Sequence, residues 1–351
     1  MSAGNLLEVK NLSVAFETER GFSTAVDDIS FTIPRGACVG IVGESGCGKS
    51  VTAMSLVRLL PQPTGHITGG QILFNGEDVV TMPQHRLREL RGGRIGFIFQ
   101  EPMSALNPVH TIGDQIAETL MIHREMTAEA AWVEAINLLN RVRIPSAAMC
   151  ANQYPGSLSG GMRQRVVIAM ALACRPELII ADEPTTALDV TIQARILDLI
   201  NEIKEKNNLS IIFITHDLGV VANMADRICV MYAGRIVEVG TADDIFYSPA
   251  HPYTWALLSS MPDLDTKERL FSIPGAPPNM LNPPKGDAFA ARNRYAMELD
   301  FEEEPPYFRI SDTHYAATWL LHPDAPKVEM PEILRNRIER MKEADKKYGD
   351  L

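Results

Sequence analysis

The chain has 351 residues, 46% apolar and 22% charged, with a net charge of −11. That length suits one large domain with a smaller companion. The acidic balance, without a basic block, argues against a nucleic-acid-binding surface. The N-terminus lacks a signal-peptide pattern, and the apolar runs are too short to span a membrane. Five scattered cysteines, Cys38, Cys47, Cys150, Cys174 and Cys229, read as reduced thiols in the cytoplasm.

Residues 6–16 alternate weakly and read as a strand, residues 17–22 turn around Gly21, and residues 29–33 form a second strand. Together they suggest an antiparallel layer laid against a nucleotide core. Phe16, near the end of the first strand, could stack on adenine or be an ordinary core residue. Residues 38–42 form a short apolar strand, and residues 51–60 a helix-compatible run stopped by Pro61. Between them stands Gly43-Glu44-Ser45-Gly46-Cys47-Gly48-Lys49-Ser50, a GxxxxGK[ST] turn in the strand–helix context that this motif requires. Its glycines let successive N–H groups face phosphate oxygens, and the start of the helix adds positive field. Lys49 would reach the β- and γ-phosphates, and the Ser50 hydroxyl would ligate Mg²⁺. Cys47, in this loop at a helix start beside Lys49, reads as a thiol with a stabilised thiolate, whose alkylation would block activity and which a bound triphosphate would protect; a small filler with its sulfur turned away is the alternative.

Residues 70–74 run into a hairpin at Asn75-Gly76. Residues 94–99 form another strand, ending at Gln100, whose amide suits a γ-phosphate or metal contact. Two prolines argue against a helix over 101–108. Helical periodicity over 111–143 marks an insertion between two halves of an α/β core. Leu158-Ser159-Gly160-Gly161 then opens a helix over 162–174, with Ser159 as N-cap. This is a second anion site. One chain has no use for two, but two facing chains can each close the other's phosphate site. Residues 178–183 form a strand ending in two carboxylates: Asp182 can hold Mg²⁺ through water, and Glu183 can act as general base. A polar turn to Asp189 and a helix over 190–203 follow. A strand over 209–214 then leads to His216, at the carboxyl edge where open parallel sheets bind ligands. Residues 227–232 and 235–239 read as a hairpin. Proline and glycine then cluster over 249–284, which puts a boundary near Asp244. The last stretch, 331–347, reads as a solvated helix with a thin apolar stripe (Ile333, Leu334, Ile338, Met341).

In their order, residues 43–50, Gln100, 158–164, 178–183, 186–189 and His216 resemble the Walker A, Q-loop, signature, Walker B, D-loop and H-loop of ABC transporter ATPases, over residues 6–245. Phe-Gln-Glu-Pro-Met-Ser-Ala-Leu-Asn-Pro, Ala-Asp-Glu-Pro-Thr-Thr-Ala-Leu-Asp-Val-Thr and His251-Pro252-Tyr253-Thr254 look like the D-type ATPases of oligopeptide and dipeptide importers. The resemblance implies an α/β fold. Its P-loop NTPase core is a RecA-like mixed sheet with an antiparallel layer, over 1–244, with a helical subdomain over about 111–160. A smaller C-terminal domain covers 245–351. It implies ATP contacts from Phe16, Gly43, Glu44, Ser45, Gly46, Cys47, Gly48, Lys49, Ser50, Val51, Gln100, Asp182 and His216, and from Ser159, Gly160, Gly161 and Asp189 in trans. Mg²⁺ would fall to Ser50, Gln100 and Asp182, and catalysis to Glu183, His216, Gln100 and Lys49.

The implied partners are two transmembrane permease subunits, a second ABC ATPase subunit in a heterodimer and, indirectly, an extracellular peptide-binding protein, with no nucleic acid. The implied place is the cytoplasmic face of the cell membrane. A nickel or other small-solute importer is the alternative cargo reading, and a non-transport ABC ATPase the alternative class. One departure stands out. Many relatives hold a four-iron cluster on C-terminal cysteines, and those positions here are Asp287, Asn293, Asp300 and, more loosely, Thr318. Oxygen ligands do not replace thiolates for such clusters, so no iron–sulfur cluster is expected, and the aspartates should lie in a solvent-exposed turn.

Overall fold

The structure, a computed structural model, describes residues 4–186, 188–261 and 272–349, with the backbone alone over 344–349. The chain opens with a long hairpin, β1 (Asn5–Thr18) and β2 (Gly21–Pro34). Next come β3 (Cys38–Val42), the phosphate-loop segment and α1 (Lys49–Leu56). The chain returns through β4 (Gly65–Phe74), β5 (Glu77–Asp78), α2 (Gln84–Leu90) and β6 (Ile95–Ile98). A short helix, α3 (Pro102–Ala105), leads to the insertion: α4 (Ile112–Arg124), α5 (Ala128–Arg141) and α6 (Ala147–Ala151). Then α7 (Gly160–Leu172), β7 (Leu178–Asp182), α8 (Val190–Asn207), β8 (Ser210–Thr215) and α9 (Leu218–Ala222) alternate. After them come β9 (Arg227–Tyr232), β10 (Arg235–Thr241), α10 (Ala242–Tyr247) and α11 (Pro252–Ser260). The C-terminal part holds α12 (Glu298–Glu302), β11 (Tyr307–Arg309), β12 (Tyr315–Ala317) and α13 (Glu332–Gly349).

Among the described residues two sheets form: a four-stranded antiparallel layer, β2-β1-β4-β5, and an eight-stranded sheet, β11-β12-β10-β9-β3-β8-β7-β6. Strands β6, β7, β8, β3 and β9 are parallel. Every residue of β3, β7 and β8 is buried, which explains their unbroken apolar runs. Alternate side chains serve opposite faces. Val39, Ile41, Ile212 and Ile214 join the core beneath the antiparallel layer, while Ile211 and Phe213 join the core shared with the helical insertion.

Four expectations need correction. Residues 102–105 are helical after all, because Pro102 occupies the first position of α3, where no N–H is required. Helix α1 stops at Leu56, short of Pro61, and Arg58 takes a left-handed φ of 52°. The C-terminal helix is not fully solvated: Leu334 and Ile338 are buried, and Arg337 donates to the Leu258 and Met261 carbonyls. The aspartates expected in a solvent-exposed turn are buried, Asp287 at 7% and Asp300 at 1% exposure, and so are Asn293 and Thr318.

The boundary placed near Asp244 falls inside α10, whose capping box uses Thr241 and Asp244. Beyond it, β12 pairs with β10. Tyr253, Trp255, Phe289 and Leu334 share a hydrophobic core with the parallel strands.

Candidate active site

Strand register assembles the site. Val42 pairs with Thr215, Ile214 with Asp182, and Ala181 with Ile98. The segments leaving β3, β8, β7 and β6 therefore emerge side by side at one carboxyl edge, bringing Gly43, His216, Glu183 and Gln100 to the same level.

The phosphate loop runs from β3 into the first turn of α1. Gly48 sits at φ 106° as N-cap of α1, and a Cβ there would stand 2.6 Å from the Ala25 carbonyl oxygen. At Gly43 a Cβ would stand 2.1 Å from the Met231 carbonyl oxygen. Neither position admits a side chain, so the turn keeps its backbone close and its amides free to converge. Lys49 is 4% exposed, and its Nζ donates to the Gly43 and Glu44 carbonyls at 2.9 and 3.0 Å, folding the ammonium back over the loop. Ser50 Oγ donates to Asp182 Oδ1 at 3.0 Å. Burial raises the pKa of the Asp182 carboxyl, and the Ser50 hydrogen bond opposes the shift. A hydroxyl beside a buried carboxylate is an oxygen-donor pair that fits Mg²⁺.

Glu183 is the focus. It is 8% exposed and takes a left-handed φ of 46° just beyond β7. Its Oε2 accepts from Thr186 Oγ1 at 2.9 Å and Gln100 Nε2 at 3.3 Å, and lies 3.2 Å from His216 Nδ1. Its Oε1 lies 3.9 Å from Lys49 Nζ. One oxygen is thus held by three neighbours while the other faces the lysine of the phosphate loop. A non-glycine residue at positive φ is costly, and here the three hydrogen-bonding neighbours of the carboxylate hold it in place. Sequence reasoning left Thr186 in a polar turn without a role; its spacing of three from Glu183 was the available signal.

Other residues expected at the site lie outside this cluster. Ser159 caps α7, accepting from Met162 N–H, and Asp189 caps α8, accepting from Ile192 N–H at 3.0 Å. The two caps are packed together: a Cβ on Gly161 would stand 2.8 Å from Ile192 Cγ2, and one on Gly160 3.8 Å from Leu188 Cδ2. Ser159 and Gly160 are exposed. Phe16 lies half-buried on β1, paired with Ser23 and Gly65. Cys47 is 5% exposed, and burial raises its thiol pKa although Lys49 Nζ is 4.0 Å away. Its thiolate is therefore disfavoured, the reverse of the expected direction. Ala187, in the turn before Asp189, lies outside the described residues.

Comparisons with known proteins give the family. Residues 26–186 match the ABC transporter family, and residues 237–299 match the C-terminal region of oligopeptide/dipeptide transporters. The chain is 56% identical, over 96% of its length and 94% of the relative's, to the oligopeptide transport ATP-binding protein OppD of Bacillus subtilis (strain 168). The chain belongs to the oligopeptide/dipeptide family of ABC transporter ATP-binding proteins. It is 52% identical to the dipeptide transport ATP-binding protein DppD of Lactococcus lactis subsp. cremoris (strain MG1363), over 98% of this chain and 99% of that one. The ABC fold is also that of a solved dimeric ATP-binding cassette in a post-hydrolysis state bound to ADP and Pi. That match has a TM-score of 0.61 and 27% identity, covering 67% of this chain and 98% of the other. As an ABC ATPase this chain binds ATP, and its glycine-lined loop and buried Lys49 fit a triphosphate. The four positions where the resemblance would put cluster cysteines do not fit iron–sulfur ligation, because Asp287, Asn293, Asp300 and Thr318 offer oxygen and amide groups where thiolates are needed.

Proposed function

We propose that this protein is the ATP-hydrolysing subunit of a membrane importer for oligopeptides or dipeptides. It would work as a peripheral subunit at the cytoplasmic face, beneath two permease subunits and beside a second ABC ATPase. The reading of cargo rests on the relatives' names and on the match to their C-terminal region. In keeping with a peripheral place, no helix among the described residues is long and apolar enough to cross a membrane.

The observation that carries the reading of chemistry is the convergence of Gln100, Thr186, His216 and Lys49 on Glu183. When bound, Mg²⁺ and ATP supply the phosphoryl group and the charge neutralisation that its transfer needs. The Ser50 hydroxyl and the Asp182 carboxylate would hold the metal, with Gln100 nearby. Lys49 leaves its loop carbonyls to pair with phosphate charge. Glu183 accepts a proton from water through the oxygen facing Lys49, and His216 and Gln100 keep the carboxylate in place. Ser159, Gly160, Gly161 and Asp189 would close the site on the partner cassette. Contacts made only in the closed dimer would have to supply about 5.5 kcal/mol to move such a two-state machine from mostly open to mostly closed.

The test is isolation from native membranes. The subunit should pellet with membranes, be released by chaotropes, and co-purify with two permeases and a second ATPase. Its ATPase activity should rise when a peptide-loaded binding protein is added to the reconstituted complex. Stimulation by a nickel-loaded binding protein alone would move the cargo to the small-solute class, and recovery only in the soluble fraction would remove the transport reading.

A further inference from the structure

The C-terminal segment reaches into the phosphate loop. Arg292, 248 residues beyond Glu44 in sequence, donates from Nη1 to Glu44 Oε2 at 2.6 Å and from Nη2 to Glu44 Oε1 at 2.9 Å. The two planar groups meet as a fork, the strongest geometry for such a pair. The Arg292 side chain is 5% exposed and Glu44 26%, so this is not a solvated surface pair. The arginine is itself fixed: Nε donates to the Pro274 carbonyl at 2.8 Å, Nη1 to Tyr232 Oη at 3.2 Å, and the guanidinium lies 5.7 Å from the centre of the Tyr232 ring. A second tie acts on the same loop residue. The Glu44 N–H donates to Tyr253 Oη at 2.8 Å. Tyr253 is fully buried against Tyr232 and Phe289, at ring distances of 4.5 and 5.3 Å. Both the carboxylate and the backbone amide of Glu44 are therefore held by residues beyond β10, and that amide points at Tyr253 rather than into the loop.

We propose that Arg292 and Tyr253 are positioning residues through which the C-terminal segment sets the affinity of the phosphate loop for nucleotide. This rests on the ATPase reading above. Arg292 does two things at once. It fixes the second residue of the loop, and so the carbonyls of Gly43 and Glu44 on which Lys49 rests. It also neutralises a carboxylate that would otherwise stand uncompensated beside a triphosphate. A shift of Arg292 away from Glu44 would weaken nucleotide binding while Gln100, Thr186 and His216 still hold the Glu183 carboxylate, giving the C-terminal segment direct control of the phosphate loop.

The experiment is steady-state ATPase kinetics and ATP binding on the full chain in its reconstituted complex, with thermal melts to confirm folding. Arg292→Met keeps the bulk and removes the charge. It should raise the KM and Kd for ATP roughly tenfold, the scale of a lost charge-assisted pair, while kcat stays within about twofold, since the interaction is one of uniform binding. Arg292→Lys, which restores charge but not the fork, should fall between. The discriminating variant is Glu44→Gln combined with Arg292→Met. Removing the stranded carboxylate should recover much of the lost affinity, which a merely structural role of Arg292 would not allow. A folded Arg292→Met protein with wild-type KM overturns the proposal, and so does a double variant no better than the single. Should Arg292→Met not fold, Tyr253→Phe carries the test by deleting one hydroxyl: a raised KM supports the proposal and an unchanged one overturns it. A wild-type chain that binds no ATP would instead sink the ATPase reading itself.

Discussion

Replacing Asp287 by Asn should stabilise the protein in a pH-dependent way. Asp287 is 7% exposed; one carboxylate oxygen accepts from the Phe289 N–H at 2.9 Å, and the other, Oδ2, has no hydrogen-bond partner among the described residues. Burial, reinforced by the Asp300 and Glu304 carboxylates and opposed by the Phe289 hydrogen bond, pushes its pKa up from 3.8 to about 6. A raised carboxyl pKa means that the native state holds the proton more tightly than the unfolded chain does. The group therefore weighs nothing against folding below about pH 4. Its cost grows between about pH 4 and 6 and is complete above that. At 1.36 kcal/mol per pH unit, a shift of roughly two units amounts to about 3 kcal/mol. The amide is neutral throughout and keeps the oxygen that accepts from Phe289. Denaturant melts at matched pH should show Asp287→Asn more stable than wild type by about 2–3 kcal/mol at pH 8, with the gap closing toward pH 4. A gap that does not change with pH, or one that grows on acidification, would refute the argument.

Two other perturbations have clear directions. Alkylation of Cys47 by iodoacetamide, followed by mass spectrometry, should be slow at pH 7 and keep accelerating beyond the ordinary thiol value of 9.0, because burial raises this thiol's pKa; rapid labelling at neutral pH would contradict that placement. Gly161→Ala puts a methyl 2.8 Å from Ile192 Cγ2, an overpacking worth about 1–3 kcal/mol that separates the Ser159 and Asp189 caps. It should lower ATP hydrolysis at least about tenfold while monomeric ATP binding, measured by titration, stays close to wild type; full hydrolytic activity would show that these caps need no fixed spacing.

Much of the molecule could be read from local pattern. Short apolar runs ending in polar residues located β3, β6, β7 and β8, and the parallel register then brought Lys49, Gln100, Glu183 and His216 together. What escaped was whatever depends on partners distant in sequence. Nothing near Asp287 or Asp300 in sequence announces burial, which comes as the two stretches fold onto each other, with the Asp287 N–H donating to the Asp300 carbonyl. Cys47 is read in sequence from its neighbours, Lys49 and a helix start, yet the burial that dominates its thiol comes from its place in the core beneath the antiparallel layer. Strands β11 and β12 are three residues each and take their place by pairing, β12 with β10 and β11 with β12, not by their own periodicity. The fork between Glu44 and Arg292 spans 248 residues and is invisible without the fold. At 102–105 local reasoning went wrong in the other way, treating proline as a breaker where it serves as a starter.

The central claim is that Glu183, held by Thr186, Gln100 and His216 and facing Lys49, receives the proton of the attacking water. Glu183→Gln keeps the shape of that side chain and removes its negative charge, and with it its basicity. Single-turnover hydrolysis with pre-bound ATP, run beside size-exclusion chromatography, tests this most directly. Hydrolysis should fall at least about a hundredfold, the usual share of a general base, with ATP affinity intact and a nucleotide-dependent dimer accumulating. Hydrolysis at the wild-type rate in Glu183→Gln would contradict the assignment.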